Sequence, residues 1–182
     1  MLTLVHLILM VAVATTQPSP RPATMPATRP AFPATWTGRW SGPATFVSTA
    51  GKHLAFEMEV AIAPTDDPSR FTWEIVYIDN GKRQVRPYEL LIVDAAKGKY
   101  VIDEKSSIKL DSYFIDRALY SQFLVQNSIV TGSYRVTDDV MFVELITSDP
   151  TNPIESGGKN GVPVVTSNPV KGVQRAELRR GK

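Results

Sequence analysis

The chain has 182 residues, of which 43% are hydrophobic and 21% charged, and it contains no cysteine and two histidines. The missing cysteine excludes a disulfide framework, a cysteine nucleophile and a thiolate-bound metal, and His6 and His53 alone are a poor basis for a histidine metal site or a Ser-His-Asp triad. The formal net charge of +2 is too small for a general nucleic-acid binder. The sequence therefore predicts no metal, no cofactor and no nucleic-acid partner.

The first residues are typical of an export signal. Residues 2–14 contain no Lys, Arg, Asp or Glu and end in Ala12-Val13-Ala14, the small-x-small pattern that signal peptidases accept. As a helix this run reaches about 20 Å, short of the roughly 30 Å hydrocarbon layer, so an integral membrane span is disfavoured. We predict a signal peptide over residues 1–14 and export to the periplasm or the extracellular space. An N-terminal strand or core helix is the alternative, and cleavage or retention of the signal as an anchor stays open.

A proline-rich segment follows. Residues 15–35 carry the triplet Pro-Ala-Thr three times, at 22–24, 26–28 and 33–35. Proline at this density favours extended polyproline II and offers no packed core, so the segment is predicted to be a linker before a single domain over residues 36–182. At the other end, residues 171–182 hold five cations and one acid. Contact of the linker or of this basic strand with the cell envelope is one interpretation, and plain solvation is the simpler one.

The domain reads as consecutive β-strands. Short runs rich in Val, Ile, Phe, Tyr and Thr are separated by turn residues at steady intervals, which gives about ten strands. The most specific turn is Asn80-Gly81, because a two-residue hairpin needs positive φ at both positions. Each run is apolar on one face, and a closed antiparallel sheet removes the two exposed edges, so an up-and-down barrel is favoured over a sandwich. The long connection at 148–172 is either a lid or a surface excursion.

Gly38-Arg39-Trp40-Ser41-Gly42 stands at the start of the first strand. This G-x-W placement, followed by a many-stranded meander and an arginine-bearing last strand, resembles the calycin group of barrels. In lipocalins a tryptophan at this point closes one end of the barrel and a last-strand cation packs over its ring. The resemblance implies that Trp40 is this tryptophan and that Arg175 or Arg179 is the cation.

The same opening resembles the nitrobindin-like ten-stranded barrels, which hold haem through a histidine on a late strand. Residues 173–179 contain no histidine, and His53 lies in an early turn. The sequence therefore does not predict haem binding.

Several polar and aromatic residues share the strand parity of apolar neighbours and are predicted to line the barrel interior. They are Trp73, Tyr77, Ser112, Phe114, Ser121 and Phe123, with Arg135 added from a strand that is apolar at both parities. No catalytic motif is present, and the acidic pairs Asp66-Asp67 and Asp138-Asp139 lie in turns. The favoured function is an exported, non-catalytic barrel that binds a small apolar molecule. The alternative is a structural or interaction module of the cell envelope with a filled core, and an enzyme using Tyr and Asp or Glu is the least favoured.

Overall fold

Ten antiparallel strands close into a barrel, as the alternating segments of the sequence predict. The computed structural model describes residues 31–181. The barrel strands are β1 (Gly38–Ser48), β2 (His53–Pro64), β3 (Arg70–Asp79), β4 (Lys82–Asp94), β5 (Lys99–Asp103), β6 (Lys109–Ile115), β7 (Ala118–Val125), β8 (Ser128–Thr137), β9 (Val140–Ser148) and β12 (Val170–Arg180). Strands β1 to β9 pair in chain order, and β12 pairs with both β9 and β1. The predicted up-and-down barrel is confirmed, and the sandwich is excluded.

The hairpin turns fix the register of the strands. Asn80 and Gly81 have φ of 48° and 76°, and this turn pairs Asp79 with Lys82. The outer positions of the strands are polar or mixed, and the inner positions carry the core, in which Trp40, Met58, Trp73 and Leu90 have no exposed surface. One face of each strand therefore points inward, as the period-two alternation predicts.

The long connection between β9 and β12 contains a small hairpin that the sequence did not indicate. Its strands are β10 (Ile154–Ser156) and β11 (Val165–Ser167), and they pair with each other only. Every residue from 151 to 168 is exposed. In this conformation the connection is a surface excursion that adds no buried side chain to the barrel.

The domain begins earlier than the composition predicts. The short 3-10 turn Ala34–Trp36 precedes β1. Phe32 and Pro33, which the predicted linker includes, are buried, and Phe32 is 9% exposed within the main core. The linker boundary at residue 35 is therefore wrong by a few residues, because this short apolar segment packs into one end of the barrel.

The predicted signal peptide at 1–14 and the rest of the predicted linker lie outside the described residues. A second 3-10 turn, Ala95–Lys97, connects β4 and β5. Between residues 31 and 181 no helix is long and apolar enough to cross a membrane.

Candidate functional site

One end of the barrel is closed by an aromatic cluster. The ring of Phe32 stacks on Phe114 with a centroid distance of 4.2 Å and meets Trp36 and Tyr100 edge-on at 4.7 and 4.8 Å. The indole N–H of Trp40 donates to the Trp36 carbonyl at 3.0 Å. The segment before β1 is thereby fastened across the barrel end as a plug.

Arg180 packs over the closing tryptophan. Its guanidinium lies 4.0 Å from the ring centroid of Trp40 and donates to the carbonyls of Thr37 at 2.5 Å and Thr35 at 3.1 Å. An arginine over an indole gains about 0.5 to 2 kcal/mol and keeps its N–H groups free for such acceptors. Arg180 thus joins the plug, β1 and β12 at the closed end.

The resemblance placed this cation on Arg175 or Arg179, and both assignments are wrong. Ala176 and Leu178 on β12 are buried. Side chains alternate along a strand, so Arg175 and Arg179 point outward and Arg180 points inward. The guanidinium of Arg175 pairs on the outer surface with the carboxylate of Glu144 at 2.7 Å.

The other end of the barrel is open. Leu54 and Val125 continue the inward-facing rows of β2 and β7, yet they are 43% and 41% exposed. The turn at Asn80-Gly81 and the long connection at 149–169 lie at this end, because β3 and β9 both end there. The inward rows therefore lead from solvent at this mouth to the plug at the opposite end.

A cavity of about 420 Å³ occupies the barrel between the mouth and the plug. Among the small residues that pair across β6, β7 and β8, Ser121 lines the cavity, whereas Ser112 is fully buried and the Leu145 side chain covers Gly132. Apolar side chains supply much of the wall, namely Ile75, Ile102, Leu110, Phe123, Val130 and Leu145.

The cavity also has a polar side. Arg86 and Tyr88 reach it from β4, Tyr77 from β3, Gln174 from β12, and Glu104 from the residue after β5. The Arg86 guanidinium is 3.4 Å from the Tyr88 hydroxyl, and this contact raises the pKa of Arg86. The polar side therefore combines one permanent cation with hydroxyl, amide and carboxylate groups.

The tyrosines of the cavity stay neutral at ordinary pH. Burial raises the pKa of Tyr77 and Tyr88, although the Gln174 amide and the Arg86 guanidinium oppose it. Burial also raises the pKa of the deeply buried Tyr134. A neutral phenol both donates and accepts a hydrogen bond, so these hydroxyls can bind a donor group or an acceptor group of a ligand.

The structure divides the seven predicted lining residues into three groups. Tyr77, Ser121 and Phe123 line the cavity. Trp73, Ser112 and Phe114 also point inward, but Trp73 and Ser112 are fully buried and Phe114 packs in the plug. Arg135 lies on the outer surface, where its guanidinium is 5.4 Å from the Phe142 ring, because its neighbour Tyr134 takes the inward position.

Sequence reasoning missed Arg86, Tyr88, Glu104 and Gln174. A signal for the first two was present, because a two-residue turn at Asn80-Gly81 places β4 symmetrically against β3. Ile75 then lies opposite Arg86, and both side chains point to the same side of the sheet. Because every second residue of β3 is apolar and faces the interior, its pairing with β4 predicts that Arg86 also faces the interior.

The lining residues of the cavity are hydrogen-bonding and apolar groups. Within the described residues no group of three His, Asp or Glu side chains is arranged to hold a metal ion. His53, the first residue of β2, is exposed and is not among the cavity residues. The cavity thus offers an apolar wall, neutral hydroxyls, amides, one carboxylate and one arginine.

Comparison with known proteins supports the fold and leaves the family open. No protein-family model matches the chain, and no curated protein does. An S-type phycobiliprotein lyase from Guillardia theta is similar in structure, with a TM-score of 0.54 and 12% identity over 80% of this chain and 88% of the lyase. A DUF3598-family protein of unknown function from Nostoc punctiforme has a TM-score of 0.55 at 9% identity, and the match covers 80% of this chain and 47% of that protein. The fold of this chain is therefore a ten-stranded antiparallel barrel of calycin-like type.

Proposed function

We propose that this barrel binds a small, mostly apolar molecule in its interior cavity and acts without catalysing a reaction. The observation that carries the proposal is the cavity of about 420 Å³ between the plug and the open mouth. Small-molecule sites are concave, about 300 to 1,000 Å³ in volume, and mostly apolar with a few polar groups. A barrel that served only as a structural module would have no need of this volume, since an interior of this width can be filled by larger side chains.

The proposal places the protein outside the cytoplasm. Its support is the apolar run at residues 2–14 with the small-x-small site at its end. Contact with the envelope through the last strand has less support, because Lys171, Arg175 and Arg180 form ion pairs with Asp149, Glu144 and Asp139. Cell fractionation and N-terminal sequencing of the mature protein test the export, and an unprocessed N-terminus in the cytoplasmic fraction would refute it.

Native mass spectrometry of the purified protein is the first test of binding. We expect a retained small molecule that is released on denaturation. A fluorescence titration with the uncharged probe phenylnaphthylamine complements it, because an apolar probe gains free energy from burial whatever the natural ligand is. We expect saturable binding with one probe per barrel.

Blocking variants show whether the probe enters the cavity. Ser121→Phe and Leu145→Phe each add volume inside the cavity and should abolish probe binding. Gln122→Phe is the matched control, because Gln122 is the exposed neighbour of Ser121 on the same strand. Two blocking variants that melt cooperatively and still bind the probe with unchanged affinity would show that the interior is not the binding site.

A further inference from the structure

The barrel interior holds buried donors that complete no hydrogen bond, although the Gln174 amide lies near enough to the Tyr77 hydroxyl to lower the pKa of that tyrosine. Among residues 31–181, the buried side-chain nitrogen or oxygen atoms without a partner are Trp73 Nε1, Arg86 Nε and Gln174 Nε2. Arg86 and Gln174 both line the cavity. A buried donor left unpaired costs free energy, and a group in a binding site recovers that cost when a ligand supplies the acceptor.

Arg86 differs from the other arginines of the barrel. Arg70, Arg83, Arg175 and Arg180 each form an ion pair with an Asp or Glu. The remaining arginines in residues 31–181 are exposed to water.

Arg86 is partly buried and makes no ion pair within the described part of the chain. Its one hydrogen-bond contact is the long one to the neutral Tyr88 hydroxyl at 3.4 Å. A guanidinium withdrawn from water is unfavourable without a negative partner in contact, and no described carboxylate forms an ion pair with Arg86, so its donors can bind an anionic group of a ligand.

The carboxylate of Glu104 faces the same cavity, and its charge contributes, after Tyr88, to the raised pKa of Arg86. The two side chains form no ion pair. The register of β4 and β5 pairs Glu89 with Asp103, which places Glu104 beside Tyr88, two residues further from the open mouth along β4 than Arg86. The cavity therefore holds one cation and one carboxylate that do not contact each other directly.

We propose that the ligand is an organic acid, with an anionic group held by Arg86 and an apolar body between Ile102, Leu110 and Phe123. This inference rests on the proposed function and specifies its ligand class. A guanidinium offers parallel N–H donors to a carboxylate or similar oxyanion, and the Tyr88 hydroxyl beside it can donate to the same group. Gln174 supplies a further donor from a strand four positions away around the barrel. The long Arg86 to Tyr88 contact leaves room for both groups to turn toward the ligand.

The test uses two fluorescent probes that share one aromatic framework in the full-length protein. Anilinonaphthalene sulfonate carries an anionic group, and phenylnaphthylamine does not. Because a hydrogen bond to a charged group in a partly buried site is worth a tenfold factor or more, Arg86→Gln should weaken sulfonate binding by about tenfold. The same variant should change binding of the neutral probe by less than about twofold. Arg135→Gln is the control, since it removes an arginine from the outer surface.

Glu104→Gln independently tests whether the cavity carboxylate repels an anionic ligand. Removing this carboxylate from the cavity should tighten sulfonate binding by about two- to threefold, because it removes a like charge. Weaker sulfonate binding in Glu104→Gln would show that the carboxylate contacts the ligand and would overturn the inference. Equal effects of Arg86→Gln on both probes, or none on either, would also overturn it. If the neutral probe fails to enter the wild-type cavity, the proposed function itself is wrong.

Discussion

Replacing Phe32 by alanine tests the unexpected plug at the closed end. Phe32 is 9% exposed and contacts three aromatic rings, stacked on Phe114 and edge-on to Trp36 and Tyr100. Phenylalanine-to-alanine changes in cores cost about 3 to 5 kcal/mol, and each aromatic pair is worth about 0.5 to 1.5 kcal/mol beyond its buried area. The plug precedes the first strand and can relax, so the lower part of that range applies, and we expect a loss of about 3 kcal/mol.

Urea denaturation followed by tryptophan fluorescence measures this loss. For a domain of this size a change of about 3 kcal/mol corresponds to a fall in Tm of about 6 to 12 °C. Tyr120→Ala is the control, because Tyr120 is 43% exposed on the outer face and its removal should cost less than about 1 kcal/mol.

Two results would refute the reasoning. A loss below about 0.5 kcal/mol in Phe32→Ala, with an unchanged denaturant slope, would mean that residues 31–36 are only a linker, as the composition predicts. The same conclusion would follow if a chain beginning at residue 37 were as stable as one beginning at residue 31. We expect the free energy of unfolding of the shorter chain to be lower by at least the amount lost in Phe32→Ala.

The remaining predictions concern the closing pair, the cavity cation and the long connection. Trp40→Ala removes a fully buried indole and should cost about 4 kcal/mol in urea denaturation, and a cost below about 0.5 kcal/mol would contradict the closure. Arg180→Gln should cost about 2 kcal/mol and Arg179→Gln less than about 0.5 kcal/mol, and equal costs would contradict the assignment of the stacked cation. Arg86→Met should raise the Tm of the ligand-free protein, since it removes a partly buried charge that forms no ion pair, and a lower Tm would contradict that account. Hydrogen bonds from Thr151 lower the pKa of Asp149 from 3.8 to about 2, so its stabilising contribution is present above about pH 4 and lost as the pH falls toward 2. Carboxyl NMR titration measures this pKa, and an ordinary value would contradict the turn geometry.

The barrel itself follows from local patterns. Alternation in segments such as Phe71, Trp73, Ile75 and Tyr77 requires only that every second side chain point to one side, and the turn residues between segments are short enough to force neighbouring strands together. Closing the sheet into a barrel then removes the two exposed edge strands, which could otherwise pair with other chains. These features depend on residues close in sequence, so they were readable without a structure.

The positions of Arg180 and Arg86 show how much strict alternation along a strand can predict. Arg180 shares the parity of Ala176 and Leu178, and Arg86 lies opposite Ile75 across a two-residue turn. Both positions could have been derived from the sequence by strict alternation. The resemblance pointed instead to Arg175 or Arg179, and Arg135 was placed inside because its strand is apolar at both parities. Motif spacing was the weaker guide because an error of one residue reverses the face.

Two features were decided by tertiary structure alone. The composition of residues 15–35 indicates an extended linker, and Phe32 becomes part of the core only because the closed barrel end presents Tyr100 and Phe114, which lie far along the chain. The cavity likewise depends on the summed volume of side chains from all around the barrel. Local sequence sets which side chains point inward, whereas the space that they leave and the segment that fills one end depend on contacts between distant residues.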